Sequence, residues 1–132
     1  MSFELTVLAW ALVLGLVQIA LSAAVVNGRS GWKYNLGPRD GPPPAVSTLG
    51  ARLHRAQTNL FETLPLFVAA ILIAHVSGRE GGSTRLGAEL FLGGRLVYLP
   101  LYAFGVPVLR TIAWTVAVVG LVLVFGAILR PV

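Results

Sequence analysis

Four uninterrupted apolar runs decide most of what this chain can become. They extend over roughly Leu5 to Val26, Asn59 to Val76, Leu86 to Phe104 and Thr111 to Leu129, each close to the ~20 residues that carry an α-helix across a bilayer core. The composition agrees: 56% of residues are hydrophobic and 11% are charged, against about 25% charged in soluble domains. The runs are continuous rather than alternating, which excludes a closed β-barrel. The expected architecture is all-α, an integral membrane bundle of four antiparallel transmembrane helices in a single domain over 1–132. The helices are placed at roughly 5–26, 48–76, 85–104 and 110–129. The first run is read as a retained helix. It opens with Glu4 instead of basic residues and exceeds the ~7–15 apolar residues of a secretory signal core.

The net charge of +5 carries topology. With four helices, Arg29, Lys33, Arg39, Arg52, Arg55 and Arg110 fall on one side, and Arg79, Arg85 and Arg130 on the other. The positive-inside rule then puts the long first loop in the cytoplasm and both termini outside it. No basic stripe alternates with stacking aromatics, so nucleic acid is not an expected partner. The absence of cysteine removes disulfides, thiolate metal sites and a protein thiol nucleophile. Any thiol chemistry belongs to a ligand.

The first loop, "NGRSGWKYNLGPRDGPPPAVSTLGARLHRAQ", is broken by Gly, Pro and Asn-Gly signals until Ser47 or Thr48, either of which can cap the second helix. Its "GPRDGPPP" predicts a rigid turn and an extended stretch. Trp32 and Tyr34 suit the headgroup level.

The second helix carries a polar stripe. Arg52, Arg55, Asn59 and Glu62 are spaced 3, 4 and 3 and so share an arc of roughly 80° on one face. One reading has the arginines snorkelling to the surface while Asn59 and Glu62 bond a neighbouring helix. A carboxylate about two turns inside lipid costs about 2.5–3.5 kcal/mol, however, and calls for protein, water and a partner. In the third helix Arg95, Tyr98 and Tyr102 share an arc of roughly 60°. The tyrosines alone could form an interfacial belt, but Arg95 lies too deep for that and is expected to neutralise Glu62.

With Arg110 opening the fourth helix, these sets meet in the cytoplasmic half. Arginines, an asparagine, an acid and two phenols suit a ligand bearing several carboxylates and an amine. Pro65 and Pro100 are expected to shape their helices, Gly93 and Gly94 to permit close helix approach, and His54 and His75 to be structural. No metal-ligand spacing or phosphate loop is present.

The stretch "RAQTNLFETLPLF" resembles the opening of the second transmembrane helix in the MAPEG family, the membrane-associated proteins of eicosanoid and glutathione metabolism. "RLVYLPLY" and Arg110 fit the same pattern, and "GPRDGPPP" looks like the first loop of small bacterial members. The resemblance covers nearly the whole chain. It implies a homotrimer in the lipid bilayer that binds glutathione, as thiol co-substrate, between neighbouring subunits. Arg52, Arg55, Asn59, Glu62, Arg95, Tyr98 and Tyr102 are the implied binding residues, with Glu62 meeting the amino group. Arg110 is the implied catalytic residue, the one that stabilises the thiolate; Thr111 stands beside it. The expected function is a glutathione-dependent transferase or peroxidase acting on lipophilic electrophiles or lipid hydroperoxides. The alternatives are a non-catalytic relative that binds lipid, glutathione or a partner, and a small proton-coupled efflux transporter. Some animal members have tyrosine directly after the glutamate, where this chain has Thr63.

Overall fold

The computed structural model describes residues 1–30, 33–42 and 45–131. Trp32, Pro43, Pro44 and the side chain of Arg29, all part of the expectations for the first loop, lie outside the described residues. Among those described, the chain forms five helices and no strand: α1 (Phe3–Ser30), α2 (Lys33–Leu36), α3 (Thr48–Val76), α4 (Gly82–Ala103) and α5 (Pro107–Ile128). Three of them, α1, α3 and α5, are long and apolar enough to cross a membrane. The fourth long helix, α4, differs because Glu89 and Arg95 interrupt its apolar run, and α2 is a single turn.

Local chemistry sets the helix ends. Ser47 Oγ accepts from Gly50 N–H at 3.0 Å, so the first turn of α3 has a side-chain cap. Pro107 opens α5, where its missing N–H costs nothing. At the end of α4, Val106 N–H bonds Leu101 O at 2.9 Å and Gly105 N–H bonds Tyr102 O at 3.1 Å, the paired closure of a Schellman motif. Gly105 holds φ at +72°, and a Cβ there would stand 2.8 Å from the Arg52 guanidinium carbon. The positive φ is what calls for glycine here, since the end of the Arg52 side chain could move aside. Pro65 and Pro100 lie within α3 and α4, and both helices run on through them.

The core joins all four long helices through Leu14, Leu60, Phe67, Phe91, Leu121 and Val124. Phe67 and Phe91 stack with centroids 4.0 Å apart and planes at 12°, tying α3 to α4. The α4–α5 contact is closer still, because glycines face backbone. A Cβ on Gly87 would fall 2.5 Å from Gly120 O, and one on Gly94 would fall 2.8 Å from Ala113 O. Membrane helices approach in this way when small residues remove the side-chain spacer. Of the glycines expected beside Arg95, only Gly94 does this; Gly93 faces open space.

Polar groups gather at the two ends. Arg52, Arg55, Tyr102 and Arg110 occupy one, and Arg79, Glu80 and Arg130 the other. At the second end Glu4, 5% exposed, accepts from the Thr84 hydroxyl at 2.7 Å.

Candidate functional site

Helix α3 presents Arg55 and Asn59 one turn apart, and α4 presents Arg95, Tyr98 and Tyr102 on the face that meets them. Arg110 stands in the first turn of α5, directly after the tight α4–α5 turn. These elements bound a cavity of about 180 Å³ lined by Asn59, Tyr98, Arg110, Thr111 and Trp114.

Beside it lies a chain of cation and ring contacts. Arg55 Nε donates to Tyr102 Oη at 3.1 Å. The Arg110 guanidinium sits 4.6 Å from the centre of the Tyr102 ring, whose neighbour Tyr98 is 5.5 Å away, centroid to centroid. The Arg95 guanidinium in turn lies 4.2 Å from the Tyr98 ring centre. Two phenols thus separate three guanidiniums, and cation–π attraction offsets part of their mutual repulsion.

Arg95 is 1% exposed, and its hydrogen bonds go to residues other than the expected Glu62. Its Nη1 donates to Asn59 Oδ1 at 2.7 Å and its Nη2 to Ala56 O at 3.5 Å. Glu62, on the same helix as Asn59, is exposed and makes no hydrogen bond or ion pair among the described residues. Its carboxylate lies about 60° around α3 from Asn59, near enough to interact electrostatically with Arg95 without bonding it. The Nε of Arg95 is buried without an acceptor. Asn59→Leu is therefore expected to lower stability by about 1.5–3 kcal/mol, the range for a hydrogen bond to a charged group. Adding Arg95→Met should restore most of that loss, because an apolar side chain needs no acceptor. Thermal unfolding of both single variants and the double variant in detergent measures the coupling; simply additive losses would refute it.

Of the residues expected to bind ligand, Asn59 and Tyr98 line this cavity, as does Arg110, the expected catalytic residue; Arg55, Arg95 and Tyr102 stand beside it through their contacts with these side chains and one another. Arg52 sits at the edge, its Nη1 donating to Ala103 O at 3.4 Å, where it closes the carboxyl end of α4. Glu62 is exposed and is not part of the cavity lining. Thr111 lines the cavity while its hydroxyl donates to Pro107 O at 3.1 Å. Trp114 is a cavity wall that the sequence reading passed over. The available signal was its position four residues after Arg110, on the same face of α5.

An all-α membrane protein with an arginine, asparagine and phenol cluster at one end of its bundle matches a known class. The family model described as MAPEG family covers residues 7–130, and the chain belongs to the MAPEG family. It is an integral membrane protein. It is also similar to leukotriene C4 synthase of Bos taurus, with 33% identity over 104 residues, 78% of this chain and 65% of that protein. The chain thus spans somewhat under two thirds of the length of that curated relative.

Proposed function

We propose that this protein is a membrane-bound, glutathione-dependent transferase or peroxidase for lipophilic electrophiles or lipid hydroperoxides. It works as a homotrimer of single-domain, four-span subunits, with α4 as the least apolar span, both termini outside the cytoplasm and the cavity on the cytoplasmic side. A bacterial inner membrane is the proposed location. The observation that carries this reading is the convergence from three helices of Asn59, Tyr98 and Arg110 on one cavity, with Arg55, Arg95 and Tyr102 bonded or stacked beside them.

The donor set fits glutathione. Arg55 and Arg95 supply planar forks for carboxylates, and the buried, unpaired Nε of Arg95 shows donor capacity beyond what the chain itself satisfies. Glu62 completes the set by holding the ammonium group. A carboxylate facing lipid from the middle of α3 is costly, and placing it against the cavity of a neighbouring subunit removes that cost. This is why the trimer belongs to the same reading.

Bound glutathione supplies a thiol, which near pKa 8.5 is mostly protonated at neutral pH and reacts only as thiolate. Arg110, beside the cavity and at the amino end of α5, provides a fixed cation and a helix dipole that favour the ionised form. Tyr98 and Tyr102 hold the arginines in place, and the apolar outer faces of the helices admit the second substrate from the bilayer.

A thermal-shift titration of the detergent-purified protein tests the ligand. Glutathione at about 100 times its dissociation constant should stabilise the protein by about 2.7 kcal/mol, and Arg55→Ala and Glu62→Ala should each abolish the shift. If glutathione gives no shift to the parent protein, or Glu62→Ala leaves the shift intact, the assignment fails.

A further inference from the structure

The opposite end of the bundle holds a second polar cavity, of about 290 Å³, that the glutathione reading does not use. It is enclosed by the turn after α3, the first turn of α4 and the residues that follow α5. Arg79, Glu80, Ser83 and Arg130 line it. Arg79 Nη1 donates to Ile128 O at 3.2 Å and to Arg130 O at 2.5 Å, and Arg130 Nη2 donates to Ser83 Oγ at 3.3 Å. These bonds occupy one nitrogen of each guanidinium. Among the described residues the other nitrogens have no acceptor, so the fork of each arginine remains available.

Helix α4 begins on Gly81, which has no side chain to accept from the amides of the first turn. The Thr84 hydroxyl accepts from Gly81 N–H at 2.8 Å and donates to Glu4, leaving it committed. One wall of the cavity therefore offers guanidinium and helix-start donors to an anion.

Glu80 has the opposite sign. Its Oε1 accepts from Ser2 Oγ at 2.6 Å and meets His75 Nδ1 at 3.2 Å, while its Oε2 has no partner among the described residues. A cavity with two arginines and one carboxylate is complementary to a ligand that carries both an anion and a cation, a few bonds apart. A purely anionic ligand would leave Glu80 facing like charge.

The location selects the source of such a ligand. The cavity lies where α3 and α5 end, both of them helices able to cross a bilayer, and so at a membrane–water boundary. Val76 and Leu129 beside it are 85% and 75% exposed, an apolar surround suited to acyl chains.

We propose that this cavity binds the phosphoethanolamine headgroup of a membrane lipid. The phosphate diester sits on Arg79, Arg130 and the first turn of α4, and the ammonium donates to Glu80. A choline headgroup has no N–H to donate, and a glycerol headgroup has no cation; both should bind less well.

Native mass spectrometry of the delipidated, detergent-solubilised full chain tests this with short-chain phosphatidylethanolamine, phosphatidylcholine and phosphatidylglycerol at equal concentration. The ethanolamine lipid should show occupancy about fivefold above either competitor, the scale of one partly exposed ion pair. Glu80→Gln should erase that preference, and Arg130→Gln should cut ethanolamine lipid binding by about fivefold or more. The melting temperature without lipid serves as the fold control for both variants. Glycerophosphoethanolamine, which lacks the chains, should bind at least about tenfold more weakly because acyl burial is lost. Equal occupancy by the three lipids, or a preference that survives Glu80→Gln, overturns the headgroup site. Equal binding of the chainless ester overturns the lipid as its source.

Discussion

Arg110→Ala is expected to lower turnover by about 10²–10³-fold, the effect of removing one electrostatic stabiliser from a site, while glutathione affinity changes by only a few fold. The separation follows from where the side chain stands. Its guanidinium lies 4.6 Å from the Tyr102 ring centre and makes no hydrogen bond among the described residues, so that one ring contact is all its removal takes from the rest of the site. In the proposed site the polar ends of glutathione are held instead by Arg55, Asn59, Arg95 and Glu62. The ultraviolet thiolate band of the bound thiol and steady-state rates with a lipophilic electrophile read the two effects separately. Arg110→Lys should recover part of the rate, because charge returns without the planar fork. Wild-type turnover in Arg110→Ala would remove Arg110 from the chemistry. Glutathione binding without turnover in the parent chain would leave a binding protein in place of an enzyme.

Gly87→Ala is expected to have the largest effect on stability, about 3 kcal/mol or more, at or beyond the usual range for overpacking. The added Cβ meets Gly120 O at 2.5 Å and Val124 Cγ2 at 2.8 Å. The oxygen belongs to the backbone of α5 and cannot rotate away, so relief requires the two helices to separate. Gly93→Ala, six residues along the same helix, should have the opposite sign. Nothing lies within 4 Å of its added carbon, and alanine is the better helix former by about 0.5–1 kcal/mol. Thermal unfolding of the two variants side by side in one detergent checks both. Equal melting temperatures would contradict the close approach of α4 and α5.

These glycines also mark where the sequence stops being legible. A charge in an apolar run stands out, so the stripe from Arg52 to Glu62 and the set of Arg95, Tyr98 and Tyr102 could be read directly. Their residence at one end followed from the alternation of basic loops. The pairing across helices could not be read, because it depends on the rotation and vertical offset of α3 against α4. Those are set by Phe67 on Phe91 and by the α4–α5 contact, not by the polar residues. Arg95 consequently meets Asn59, one turn short of the expected Glu62. Gly87 and Gly120 were invisible as partners, since glycine in an apolar run gives no sign of what it touches. Trp114 was hidden for the converse reason, as one more large apolar residue in a hydrophobic helix. The fourth span was the hardest to read, because Tyr98 and Tyr102 look membrane-compatible while Glu89 and Arg95 weigh against them.

The backbone-to-backbone contact between α4 and α5 removes degrees of freedom as well as space. Helices that meet through long side chains can slide by exchanging rotamers, whereas Gly87 and Gly120 have none to exchange. The hairpin from Gly82 to Ile128 is consequently one stiff plate, and Tyr98, Tyr102 and Arg110 keep their mutual spacing whatever the rest of the molecule does. Helix α3 meets that plate through side chains, namely the Phe67 and Phe91 rings and the hydrogen bonds of Arg52, Arg55 and Arg95. The width of the cavity then follows the angle of α3, which carries Arg55 and Asn59 relative to that wall.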